Sequence, residues 1–214
     1  MNPLHQQLTQ LKLSGVKAAL IQQSQQLNLY AEQSFEERLS LMLSHEITGR
    51  EQRRVERLIK QAKFRLKASL NDIDYSAHRQ LSKETLRSLA QGEWLSQGQN
   101  LLITGATGCG KTYLSCALGH HHCQQDHTVY YFRLKELLER LFMAQADCSY
   151  RKQINKLKAC DLLILDDRGL EPLNAQQRSD LLVLIDARYD SNSTLITSLL
   201  PVENGYKKIG ETSQ

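Results

Sequence analysis

Gly105-Ala106-Thr107-Gly108-Cys109-Gly110-Lys111-Thr112 fills the pattern G-x-x-x-x-G-K-[ST] without a gap. In such a loop the glycines let the backbone turn until its amides converge on phosphate oxygens. Lys111 then reaches the β- and γ-phosphates, and the Thr112 hydroxyl ligates Mg²⁺. Context gives the match its weight. The apolar run Leu101–Thr104 precedes it and reads as a strand, and a helix carrying Tyr113, Leu114 and Leu118 follows. The expected nucleotide-binding set is therefore Gly105, Ala106, Thr107, Gly108, Cys109, Gly110, Lys111, Thr112 and Tyr113.

Downstream of this loop, Asp161-Leu162-Leu163-Ile164-Leu165-Asp166-Asp167 places two carboxylates at the end of a short apolar run. Four consecutive apolar residues suit a strand buried on both faces, and ligands of open parallel sheets bind beyond the strands' C-terminal ends. Asp166 is the expected Mg²⁺ ligand and Asp167 the residue that orients or deprotonates the attacking water. Thr197 and Ser198 end a further strand, where their hydroxyls could position the γ-phosphate. Strands over Leu101–Thr104, Val129–Phe132, Leu162–Leu165 and Thr194–Thr197 alternate with helices over Lys111–His122, Leu134–Ala146 and Ala175–Tyr189. This alternation argues for an α/β fold with a parallel sheet of the P-loop NTPase kind.

The N-terminal part has a different texture. Leu11 to about Leu70 shows apolar residues at helical spacing, and Ser34-Phe35-Glu36-Glu37 has the form of a capping box. From Arg50 to Lys67, Val55, Leu58, Ile59, Ala62 and Leu66 gather on one side of a helix, with Arg50, Arg53, Arg54, Arg57, Lys60 and Lys67 on the other. Eight basic and two acidic residues fill these 18 positions. A solvated face and a phosphate-binding face both fit, and the nearly uniform sign is the footprint that DNA binding would leave. Residues 1–96 hold 14 Lys/Arg against 10 Asp/Glu and residues 97–214 hold 13 against 13, so the net charge of +4 comes from the first part. The expected organisation is a small, basic, all-helical domain over 1–70, a linker with a short helix (Leu81–Leu95) over 71–98, and the P-loop core over 99–214.

Composition narrows the classes. With 214 residues, 41% of them hydrophobic and 23% charged, the chain is in the globular range. Its longest apolar run, Leu181–Ile185, is far short of the ~20 residues of a membrane-spanning helix. No basic-then-apolar leader opens the chain. Five cysteines form no Cys-x-x-Cys pair, which suits reduced thiols. A cytoplasmic setting without a membrane partner is expected. His120-His121-His122-Cys123 with His127 has the residue types of a metal site but lies where a helix ends and lacks a second ligand pair. Cys109 has no visible redox partner, and Tyr130-Tyr131-Phe132 reads as core strand.

With these residues in view, the chain resembles the IstB-type ATP-binding proteins, the transposition helpers of insertion sequences and relatives of DnaC helicase loaders. The resemblance rests on Ser34-Phe35-Glu36-Glu37-Arg38-Leu39, Arg50-Glu51-Gln52-Arg53-Arg54, Asp72-Ile73-Asp74-Tyr75, the phosphate loop, Leu163–Asp167 and Asp186-Ala187-Arg188-Tyr189 with Ile196-Thr197-Ser198. It implies an AAA+-like ATPase using ATP and Mg²⁺, homo-oligomeric on double-stranded DNA and partnered by an IstA-type transposase. It also strengthens the DNA reading of the basic stripe.

Two departures from the family pattern stand out. Arg168 follows the paired aspartates where an aromatic residue is usual, and the chain stops at Gln214. The resemblance therefore implies a C-terminally truncated copy that lacks a last strand and a helical region, leaving Leu101–Thr104 as an exposed apolar edge. An arginine acting in trans is worth about 10³–10⁵ in rate where such enzymes use one. Arg178 and Arg188 are the arginines of this chain that could substitute, and the sequence assigns the role to neither. The alternatives are a DnaC-like helicase loader and a catalytically weak remnant that only binds nucleotide or DNA.

Overall fold

The computed structural model describes residues 3–75, 81–168 and 173–199, with Asp167 and Arg168 described by their backbone only. These residues form two units that divide between Arg57 and Leu58.

In the first unit, α1 (Pro3–Gln10), α2 (Ser14–Gln25) and most of α3 (Phe35–Ala62) close around Leu8, Val16, Ala19 and Met42. The capping box forms at the start of α3. The Glu37 amide donates to Ser34 Oγ at 3.2 Å and the Ser34 amide to the Glu37 carboxylate at 2.7 Å, satisfying donors that a first helical turn leaves over. Glu46, buried on α3, accepts from the Gly15 and Val16 amides at 2.6 and 3.3 Å, where the positive end of α2 favours a carboxylate.

The second unit is built on a four-stranded parallel sheet of β1 (Leu101–Thr104), β2 (Val129–Arg133), β3 (Leu162–Arg168) and β4 (Ser193–Ser198), in the order β1-β4-β3-β2. Both faces are covered, which is why β3 reads as a continuous apolar run. Leu162 and Ile164 pack toward α6 (Lys111–Gln124), α4 (Lys83–Gln91), α5 (Glu93–Ser96) and the end of α3. Leu163 and Leu165 pack toward α7 (Leu134–Ala146), α8 (Tyr150–Lys158) and α9 (Ala175–Arg188). Among the described residues β1 is a sheet edge, and Leu102 is 43% exposed on it.

The structure departs from the sequence reading in three places. The described residues between 58 and 98 are not the tail of a separate domain and a linker, because Leu58, Ala62, Leu86, Trp94 and Leu95 lie in the core against the sheet. Helix α3 ends at Ala62, not near Lys67. Lys63 takes a left-handed φ of 58°, and Phe64 then seats its ring against α6, in space that a Cβ on Gly119 would occupy. Helix α8 was not anticipated, since Tyr150, Ile154 and Leu157 are the only apolar positions in its nine residues. By contrast, the start of α9 is the one read from the sequence. Asn174 Oδ1 accepts from the Gln177 amide at 2.8 Å and the Asn174 amide donates back to Gln177 at 3.0 Å.

Candidate functional site

The phosphate loop joins the end of β1 to the start of α6. Gly108 and Gly110 have φ of 80° and 92°, values side chains resist, and Gly110 caps α6, so the helix's first free amides point into the loop. Lys111 Nζ donates to the carbonyls of Gly105 and Ala106 at 2.7 and 2.8 Å and stands 3.8 Å from Cys109 Sγ. The ammonium is thus held over the loop by two neutral acceptors, which an anionic phosphate would outcompete.

Across the cavity, the register of β3 against β4 shifts between Leu165 and Arg168, an irregularity of the kind that re-aims side chains at sites. Asp166 lies there and is 1% exposed. One carboxylate oxygen accepts from Tyr131 Oη and the other from Thr197 Oγ1, each at 2.5 Å. Burial, reinforced by the bond to Asp166, pushes the Tyr131 phenol well above its ordinary range, so it remains a donor.

A cavity of about 470 Å³ joins the two sides. Of the residues expected from sequence, Thr107, Gly108, Gly110, Lys111, Thr112 and Tyr113 line it from the loop, and Asp166, Thr197 and Ser198 from the strand ends. The Asp167 side chain lies outside the described residues. Arg65 and Leu66 line the cavity as well. The sequence alone does not single out these two or Tyr131: Arg65 is one of eight basic residues in 50–67, and Tyr131 reads as core strand. A signal for Tyr131 exists only once β2 is known to neighbour β3. The hard oxygen donors Thr112 and Asp166 on one cavity suit Mg²⁺.

The family is now recognisable. A model of the IstB-like ATP binding protein family matches residues 6–213. The chain belongs to this family. It is 45% identical over 93% of its length to the protein assigned as ATP-binding in insertion sequence IS1162 of Pseudomonas fluorescens, covering 86% of that protein. It is 41% identical over 83% of its length to the insertion-sequence ATP-binding protein y4pL of Sinorhizobium fredii, covering 72% of it. Among solved structures, the DnaC helicase loader is similar at 26% identity and a TM-score of 0.54, over 60% of this chain and 78% of DnaC. The replication initiator DnaA bound to AMPPCP and single-stranded DNA shares the fold at 18% identity and a TM-score of 0.60, over 71% of this chain and 46% of that one. The IstB-like chain is thus an α/β P-loop protein of AAA+ type.

The other expected residues are placed as follows. Arg50 Nε pairs with Glu46 at 2.7 Å and Arg53 Nη2 with the same oxygen at 3.5 Å, so two members of the basic stripe neutralise a buried carboxylate. The bond from Arg50 leads in holding the Glu46 carboxyl below its usual range. Arg54, Arg57 and Lys60 are exposed on α3, while Lys67 lies beyond its end. Arg188 is no candidate for phosphate contact. It is 2% exposed and donates to the carbonyls of Leu157, Cys160 and Ser193, tying together the N-terminal ends of β3 and β4, opposite the phosphate loop. Arg178 donates to the Leu173 carbonyl at the start of α9.

The His122 ring lies edge-on to the rings of His121 and His127, with centroids 5.7 and 5.8 Å apart. His122 is buried beside Trp94 and its pKa is lowered to about 4, chiefly by burial. His121 meets the Ala90 carbonyl, and His127 faces Asp161 at 4.0 Å. Burial pushes the Cys123 thiol up to about 12. No helix among the described residues is long and apolar enough to cross a membrane.

Proposed function

We propose that this IstB-like protein binds and hydrolyses ATP in the cavity between the phosphate loop and Asp166, and uses that cycle to assist an IstA-type transposase on double-stranded DNA. The observation that carries the reading is the convergence of Lys111, Thr112 and Asp166 on one cavity in a chain of this family. Lys111 exchanges its two carbonyl partners for the β- and γ-phosphates, and the amides at the start of α6 take the remaining phosphate charge. Thr112 and Asp166 would hold Mg²⁺, which when bound spreads the negative charge of the phosphates. Asp167 orients the attacking water. Thr197 acts through Asp166, whose carboxylate it and Tyr131 fix from both sides, while Ser198 faces the phosphates. On DNA, the basic face of α3 supplies phosphate contacts, and copies of the chain assemble side by side.

ATP turnover by the full chain, with and without duplex DNA and beside Lys111→Ala, tests this reading. DNA-stimulated hydrolysis that falls at least ~10²-fold in the variant is expected, in line with loss of one preorganised charge-stabilising group. Turnover that is indifferent to Lys111 would remove the loop from the chemistry. The likeness to DnaC favours one rival, a helicase loader; capture of a replicative helicase but not of the transposase would decide for it.

A further inference from the structure

We propose that Arg65 binds the terminal phosphate of the nucleoside triphosphate from within the same chain and distinguishes triphosphate from diphosphate. The proposal rests on the nucleotide reading above and adds to it a cation that lies outside the phosphate-loop motif.

Three contacts along α6 fix the segment that carries Arg65. The Phe64 ring stacks on His120 with centroids 4.2 Å apart and fills the notch left by Gly119. The amides of Arg65 and Leu66 lie near enough to the Cys116 thiol to offset part of the rise that burial imposes on it. The Tyr113 hydroxyl lies 3.4 Å from both the amide and the carbonyl of Ser69. The backbone at 65 is therefore held beside the helix that begins with Lys111, and the side chain is left exposed on the wall of the cavity.

Charge decides which part of the nucleotide the guanidinium meets. Arg65 and Asp166 line the same cavity, and the guanidinium is close enough to act on the Tyr131 hydroxyl that is bonded to Asp166. Among the described residues Arg65 makes no ion pair. A planar fork of donors on the cavity that Lys111 and Asp166 also line is suited to the oxygens of a phosphate, which Arg binds in bidentate fashion. The β-phosphate is served by the loop amides as well as Lys111, whereas the γ-phosphate lies beyond those amides, so it is the group with oxygens left for Arg65.

The test is the affinity of the full-length wild type, Arg65→Ala, Arg65→Lys and Lys111→Ala for ATPγS and for ADP, each with Mg²⁺, measured by calorimetry. Arg65→Ala should weaken ATPγS by about tenfold or more, the scale of one charge-assisted hydrogen bond, and leave ADP unchanged, with Arg65→Lys recovering part of the loss. Equal weakening of both nucleotides, or of neither, overturns the proposal. If Lys111→Ala loses both nucleotides while Arg65→Ala loses neither, the nucleotide reading stands and Arg65 is only a surface residue. If the wild type binds neither nucleotide, the nucleotide reading fails and this proposal fails with it.

Discussion

Asp166 shows how a single carboxylate can be both buried and ready. A carboxyl group at 1% exposure is costly to bury unless its oxygens have hydrogen-bond partners, and Tyr131 and Thr197 supply one apiece. Tyr131→Phe keeps the ring in the core and removes only the hydroxyl. It should destabilise the fold by about 1–3 kcal/mol, the cost of a buried acceptor left without its partner, as read by urea unfolding. ATP turnover should fall with it while nucleotide affinity holds, because the residue acts on the acid and not on the phosphates. A variant as stable and as active as the wild type would show that the hydroxyl does not position Asp166. The composition of the Asp166–Asp167 pair was legible from sequence because two acids after four apolar residues have few other uses. Its partner was not, since Tyr131 is 35 residues away and the two meet only through strand pairing.

At the scale of elements, the phosphate loop and its flanking strand and helix were readable because glycine spacing and apolar runs are local signals. The end of α3 was not, because the helical pattern of apolar residues continues to Leu66 and only the docking of Phe64 against Gly119 stops it. This changes what the basic face can do. Of the six cations Arg50, Arg53, Arg54, Arg57, Lys60 and Lys67, the first two neutralise Glu46. Lys67 lies beyond the end of α3, so on the proposed DNA role the remaining three imply a log–log salt slope of about −2.7 for duplex binding. Replacing Arg57 and Lys60 by Glu should reduce its magnitude by about 1.8 and weaken binding, measured by fluorescence anisotropy across salt concentrations. An unchanged slope would take DNA off this helix face.

For the whole molecule, the two units should answer to different ligands. The first closes on a core of four buried apolar side chains, Leu8, Val16, Ala19 and Met42. A structure that small is marginal, so its amides should exchange through openings of low free energy. The second has both faces of its sheet covered, and its strands should exchange only on near-global unfolding. Binding energy slows exchange where the contacts are made and in whatever opens together with them. Hydrogen exchange of the full chain is therefore expected to show slowing by Mg·ATPγS in the phosphate loop, at 63–69 and near Asp166, with α1 and α2 little changed. Duplex DNA should slow α3 and, because α2 is joined to α3 through Glu46 and the Gly15 and Val16 amides, α2 with it. Protection by DNA confined to the sheet unit would mean that the basic helix is a solvated surface and that the DNA contact lies elsewhere in the P-loop unit. Protection of α3 with nucleotide alone would mean that the two units are coupled through α3 itself, which crosses from one to the other between Arg57 and Leu58.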